Sequence, residues 1–329
     1  MKLKMFFLII LILLLAFACY LFVGKREPTQ DIVWGVNFSQ KQAQYYLSSD
    51  WQKTYSALID DLNIKHLKLG VYWDLIEPEK DNYLFEDLDW QVEIAQKKGV
   101  QLLLVIGMKA PRWPECHLPE WAKTLSKEEQ QERILKLLEN IVLRYRDSES
   151  VWAWQVENEP FFPFGECRWV DKEFLKKEIK LVKSLDPKRP VVITDSGEGS
   201  FWVASARLGD IVGTTWYKKV WFHQLGAYIT YPFPPTFYAR KAKIIEKLFH
   251  KEVICVEMQA EPWGPTASLQ EVPLEEQEKT MNLSQFKKNI ESIRKTGFRK
   301  VYLWGAEWWY WMKEKQNQPE IWEEARKLF

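Results

Sequence analysis

Two glutamates, Glu159 and Glu257, each end an apolar run rich in strand formers: Val151-Trp-Ala-Trp-Gln-Val-Glu-Asn-Glu-Pro160 and Glu252-Val-Ile-Cys-Val-Glu257. Such runs read as strands buried on both faces, and the polar tail of the first marks where chemistry begins. The proline after Glu159 cannot join a ladder, so that strand stops there with Asn158 and Glu159 at its carboxyl end. In a parallel α/β barrel that end is the face on which active sites form. Two carboxyl groups meeting across it, one as acid and one as base or nucleophile, are what glycoside hydrolysis requires. Singly, a strand-Glu-Pro junction fits solvated loop residues equally well; the second glutamate-ended strand is what favours chemistry.

Glu157, Glu261 and Glu307 compete as carboxylates near the same face, and regular alternation would turn Glu157 to the side of Glu159. Asp195 ends another strand and reads as a hydroxyl ligand or a helix cap. The chain holds 18 Trp in 329 residues, more than a core needs. Aromatic faces stack on sugar rings, so Trp113, Trp216, Trp263 and Trp308 are candidate sugar contacts, with core packing as the alternative for each.

The elements that must position these residues alternate along the chain. Strands are expected at Ile32–Phe38, Lys65–Trp73, Val100–Gly107, Val151–Pro160, Pro190–Asp195, Asp210–Tyr217, Glu252–Glu257 and Lys300–Trp304. Between them fall helical segments: Asp50–Leu62 with Asp50 as cap, Leu88–Lys98 closed by Gly99, Lys127–Arg146, Lys172–Ser184, Thr236–Phe249, and Ser284–Lys295 closed by Gly297. Pro319–Leu328 is the last helix. Eight such alternations over residues 31–329 predict a (β/α)8 TIM barrel. No Gly-x-Gly-x-x-Gly follows a strand, which weakens a dinucleotide-binding sheet.

Ahead of the barrel, Met5–Val23 is unbroken apolar sequence flanked by Lys2, Lys4, Lys25 and Arg26. Nineteen residues at about 1.5 Å each span roughly a bilayer core. Residues 1–30 are therefore expected to be a transmembrane anchor and short linker, with the catalytic domain extracytoplasmic. Secretion after signal cleavage is the alternative, since Ala16-Phe-Ala-Cys19 resembles a cleavage site. Basic and acidic residues balance at 46 and 45, which argues against nucleic acid as partner. The scattered His and Cys suggest no metal site. Cys255 reads as a buried thiol. Cys116 and Cys167 fall in loops after strands three and four, where an extracytoplasmic domain allows a disulfide; free thiols are the alternative.

Around this framework the chain resembles clan A glycoside hydrolases, of the family 5 and family 42 type. The residues that carry the resemblance are Asn158-Glu159-Pro160, Glu257-Met-Gln-Ala260 with Pro262-Trp263, Leu303-Trp304-Gly305, and Val71-Tyr-Trp-Asp-Leu-Ile-Glu-Pro78. The resemblance implies a retaining enzyme in which Glu159 is the acid/base and Glu257 the nucleophile. It also implies that Asn158 bonds the sugar 2-hydroxyl, Tyr217 orients the nucleophile and Trp304 stacks beneath the reacting sugar. Two departures stand out: Lys68 where many members carry Arg on strand two, and Trp216 where a His often precedes the tyrosine. A carbohydrate substrate, no cofactor and a monomer are expected. The rivals are a non-catalytic carbohydrate-binding barrel and a transglycosylase using the same glutamates.

Overall fold

In the computed structural model, which describes residues 2–329, short apolar strands connected through helices form a parallel ladder that closes on itself. Met1 and the side chains of Lys2 and Leu3, the start of the expected anchor segment, lie outside that description. Among the described residues the barrel strands are β1 (Val33–Phe38), β2 (His66–Gly70), β3 (Gln101–Ile106), β4 (Val151–Val156), β5 (Val191–Asp195), β6 (Ile211–Trp216), β9 (Val253–Gln259) and β10 (Lys300–Trp304). β7 (Lys219–Phe222) and β8 (Ala227–Thr230) form an antiparallel hairpin outside the barrel. The closed order is β1-β10-β9-β6-β5-β4-β3-β2, all parallel. The expected TIM barrel is what the chain adopts.

Helices surround the strands: α1 (Lys2–Phe22), α2 (Trp51–Asp60), α3 (Trp73–Ile76), α4 (Glu86–Lys98), α5 (Lys127–Tyr145), α6 (Lys172–Leu185), α7 (Val203–Leu208), α8 (Pro235–Phe249), α9 (Leu274–Glu278), α10 (Leu283–Arg294), α11 (Ala306–Lys315) and α12 (Glu320–Arg326). Local chemistry sets their ends. Asp50 accepts from the Lys53 amide at the start of α2, and Ser126 with Glu129 forms a capping box on α5. Gly99 closes α4 in the left-handed region at φ 67°, where a side chain would be strained.

Two layers of apolar side chains hold the fold. Leu103, Ala153, Val192, Ile254, Val256 and Tyr302 fill the barrel interior. The outward residues of the same strands pack under the helices. At about 25 cal/mol per Å² of apolar surface removed from water, this continuous outer layer supplies most of the driving force.

Three expectations are corrected. Strand two ends at Gly70, not Trp73, because Trp73 opens α3. The hairpin β7–β8 and the helix α11 were not anticipated. Ala306-Glu-Trp-Trp-Tyr-Trp-Met312 turns into helix after Gly305, whose φ of 119° makes the strand-to-helix turn. That places Trp308 inside the core. α1 is apolar and long enough to cross a membrane over Lys4–Phe22.

Candidate active site

β4 and β9 deliver their glutamates by different local devices. On β9, Ile254 and Val256 both face the interior, so strict alternation would send Glu257 outward with Cys255. The pairing to β6 shifts between Thr214↔Cys255 and Thr215↔Glu257, which inserts one extra residue in β9. Such a bulge re-aims the next side chain, and Glu257 turns into the mouth of the barrel. On β4 the ladder ends at Val156, and Glu157 and Glu159 both adopt left-handed conformations, φ 58° and 42°. Non-glycine residues seldom do so without tertiary support. The Glu159 amide donates to Thr194 Oγ1 at 2.7 Å, and Thr215 Oγ1 donates to Glu159 Oε1 at 3.3 Å.

The turn separates the two neighbouring acids. Glu157 accepts from the Met108 and Lys109 amides at 2.8 and 2.6 Å, and from the Glu178 carboxyl on α6. It therefore braces the β3 loop and does not share the side of Glu159, contrary to regular alternation. Burial and the nearby Glu157 charge hold Glu178 protonated, well above the usual carboxylate range.

Glu159 and Glu257 line one cleft of about 190 Å³ with Asn158, Tyr217, Trp263 and Trp304. Lys68 Nζ donates to Glu257 Oε1 at 2.7 Å and Tyr217 OH to Oε2 at 2.9 Å. Both oxygens of Glu257 thus meet donors, and Lys68 supplies the cation in the place noted as a departure. Burial raises the Glu159 pKa well above its ordinary value, reinforced by the charges of Glu257 and Glu115 and opposed by Lys109. Burial with the Glu257 and Glu159 charges pushes the Tyr217 phenol up, so it stays a neutral donor.

Asn158 accepts from Gln155 at 3.0 Å and donates to Glu115 Oε2 at 3.2 Å. Glu115 was missed in the sequence. It sits one residue before Cys116 on the loop after β3, at φ 71°, and lines the cleft. Burial, opposed by Lys109 and reinforced by Glu257, raises it to about 7. Cys116 and Cys167 are disulfide-bonded, joining the loops after β3 and β4. The sole pointer to Glu115 was that neighbouring half-cystine.

The aromatic candidates divide. Trp263 lines the cleft and packs edge-on against Tyr217, centroids 4.9 Å apart. Trp113, 41% exposed, lines an adjoining cavity of about 380 Å³ but not the cleft itself. Trp304 borders both, but the Arg112 guanidinium covers one face at 3.9 Å from the ring centroid, leaving the residue 6% exposed. Trp216 and Trp308 are core residues; Trp308 Nε1 donates to Gln277 at 2.7 Å. Arg112 also pairs with Glu261 and, at 3.1 Å, with Glu307, so these two carboxylates are occupied in bracing the rim. Asp195 caps its own loop, accepting from the Ser196 amide and the Ser200 and Ser205 hydroxyls. Among the described residues no group of three or more His, Cys, Asp or Glu side chains could hold a metal ion.

A cleft at the carboxyl ends of barrel strands, with one carboxyl group held protonated and another gripped by two donors, has the character of a glycosidase site. Residues 28–319 match the family model described as cellulase, glycosyl hydrolase family 5. The chain belongs to glycosyl hydrolase family 5. Within curated proteins, this family 5 chain is 24% identical over 184 residues to endo-1,4-beta-xylanase A of Xylanibacter ruminicola, covering 53% of the chain and 49% of that protein. It is 25% identical over 159 residues to mannan endo-1,4-beta-mannosidase F of Aspergillus fumigatus, covering 43% and 35%. The chain spans half or less of the length of the curated relatives it matches. Among solved structures, GH5_18 of Bifidobacterium longum subsp. longum superposes with a TM-score of 0.59 at 12% identity, covering 84% of this chain and 70% of that one. At that identity the likeness speaks for the fold.

Proposed function

We propose that this family 5 protein is a retaining glycosidase that cleaves a β-linked poly- or oligosaccharide by double displacement, with Glu159 as acid/base and Glu257 as nucleophile. The observation that carries the reading is the contrast between the two carboxyl groups. Glu159 is buried among like charges and keeps its proton, whereas Glu257 is held by Lys68 and Tyr217. The xylanase and mannanase relatives, which by their names act on β-1,4 linkages, agree with a β-glycan substrate.

In the first step Glu257 attacks the anomeric carbon while the bond to the leaving oxygen breaks and Glu159 gives that oxygen its proton. The glycosyl ester removes the charge of Glu257, one of the causes raising Glu159, so Glu159 becomes the base that takes a proton from water. Water then attacks the anomeric carbon, and the ester bond breaks to return Glu257 to the donors Lys68 and Tyr217. Asn158, fixed between Gln155 and Glu115, is oriented to bond the 2-hydroxyl, where a contact strengthens in the transition state. Trp263 and the open part of Trp304 pack on the sugar, and Trp113 serves beyond the cleft. Residues 1–30 are read as a retained membrane anchor and linker, and residues 31–329 as an extracytoplasmic catalytic domain.

Hydrolysis of a panel of aryl β-glycosides tests the assignment. Glu257→Ala is expected to abolish turnover and to regain it with azide, which replaces the carboxylate and releases a glycosyl azide of inverted configuration. Glu159→Gln is expected to lose about 10²–10⁴-fold on poor leaving groups, the usual share of general acid catalysis. Unchanged rates in both variants would favour a carbohydrate-binding barrel.

A further inference from the structure

α1 is not free of the barrel along its whole length. Met5–Phe17 is exposed, but the end of the helix packs against the start of α8. Phe22 meets Phe233 and Phe237 with centroids 6.1 and 5.1 Å apart, and Arg240 lies 4.8 Å over the Tyr20 ring. Leu21 is buried, and Thr236 Oγ1 donates to the Gly24 carbonyl at 3.1 Å. Further back along the helix, Phe17 meets Phe201 at 6.4 Å.

The linker is strapped down as well. Arg26 donates to the Lys295 carbonyl at 3.1 Å, the Thr29 amide to the Arg294 carbonyl at 2.9 Å, and Arg294 to Gln30 at 3.1 Å. The barrel therefore has a fixed attitude to α1 and does not swing on a tether.

That attitude brings the cleft with it. α7 follows β5 and α8 follows β6 and the hairpin, so both helices begin at the carboxyl-end face of the barrel. The loop 196–202 serves two places at once. Its Glu198 lines the cleft and accepts from the Tyr217 amide and the Tyr238 hydroxyl. Three residues on, Phe201 touches α1.

The depth is fixed by helix geometry. The apolar run ends at Phe22 and Val23, and Phe17 lies about 7.5 Å further in at 1.5 Å per residue. Phe201, 54% exposed, is held at that level, and Val203 beside it is exposed too. Interfacial apolar side chains sink about 5–10 Å into the boundary between headgroups and acyl chains. Lys25 and Arg26, which follow the apolar run, and Lys243, one turn past Arg240 on α8, are exposed and would meet headgroup phosphates.

Resting on the reading of α1 as a retained anchor, we propose that the rim bearing Phe201 and Val203 is a second bilayer-contacting surface. It seats the barrel on the membrane with the cleft opening beside the lipid headgroups, so the glycans it meets are those lying on or rooted in that surface.

The test uses the full chain with Cys19→Ser, reconstituted in vesicles of phosphatidylcholine and phosphatidylglycerol that carry a shallow nitroxide lipid. Phe201→Cys, Val203→Cys and, as control, Leu143→Cys on α5 are each labelled with bimane. All three positions are exposed, so the core is left intact. Quenching at 201 and 203 is expected to exceed that at 143 several-fold. Equal quenching at all three sites, in protein that resists alkaline extraction, would overturn the proposal while leaving the anchor standing. Protein extracted by alkali, or shown by mass to lack the apolar run, would remove the anchor and the proposal with it.

Discussion

Around Glu257 and Glu159, single side chains set the local charge and hydrogen bonding on which chemistry depends. Lys68 and Glu257 form an ion pair with both side chains almost wholly out of water, and removing one partner of such a pair costs about 3–5 kcal/mol. Lys68→Met is therefore expected to lower the melting temperature. It also leaves Glu257 without the cation that holds one of its oxygens, so kcat/KM on aryl glycosides is expected to fall. Glu115 acts on Glu159. Its charge is among the causes that raise Glu159, so Glu115→Gln is expected to lower the Glu159 pKa and shift the alkaline limb of kcat/KM to lower pH. An unmoved limb would mean that Glu115 does not reach Glu159. Glu159 was legible in sequence because Pro160 announces a strand end, and Glu257 because it follows an apolar run, although β9 continues past it to Gln259. Glu115 was not, since nothing in Pro-Arg-Trp-Pro-Glu-Cys116 marks a residue that a positive φ and a cross-loop disulfide bring into the cleft.

At the scale of elements, loops braced against each other hold the site. Alternation orients a regular strand, but a one-residue bulge in β9 and a left-handed turn after β4 break it and were not readable. Both are tertiary choices that reverse the side on which a glutamate emerges, and they explain why Glu157 went to the β3 loop. The helix α11 was hidden by its aromatic richness, which reads as binding surface until packing buries it.

Two tests belong here. Glu178 has its folded pKa raised above the unfolded value, so the folded state binds the proton more tightly and loses stability as pH rises through the unfolded pKa toward the folded one. Glu178→Gln removes that dependence, and its melting temperature relative to wild type is expected to be higher at pH 8 than at pH 5. The disulfide closes 51 residues of chain, and a bridge of this kind stabilises by about 2–4 kcal/mol. Cys116→Ser with Cys167→Ser should lower the melting temperature and raise KM, because the loops after β3 and β4, which bring Glu115 and Phe164 to the lining of the cleft, lose their tie.

For the whole molecule, the eightfold alternation that the sequence displays is the closed barrel observed, and the family match spans nearly all of it. A parallel barrel of this kind can be read from sequence because each strand is a short apolar run and each helix an amphipathic one, with punctuation between. The attitude of α1 was not readable, since it depends on Phe201, Phe233 and Phe237 meeting the end of a helix more than 170 residues away in the chain. Among the described residues, α1 contributes no side chain to the cleft. The domain 31–329 is accordingly expected to keep its kcat/KM on soluble aryl glycosides.

Trapping the covalent intermediate reaches the central claim most directly. Incubation with activated 2-deoxy-2-fluoro-β-glycosides slows the second step, and peptide mapping by mass spectrometry then locates the sugar. The account predicts one adduct, on Glu257, which disappears in Glu257→Gln. An adduct on Glu115 or Glu159, or turnover that yields the inverted anomer without any adduct, would contradict it.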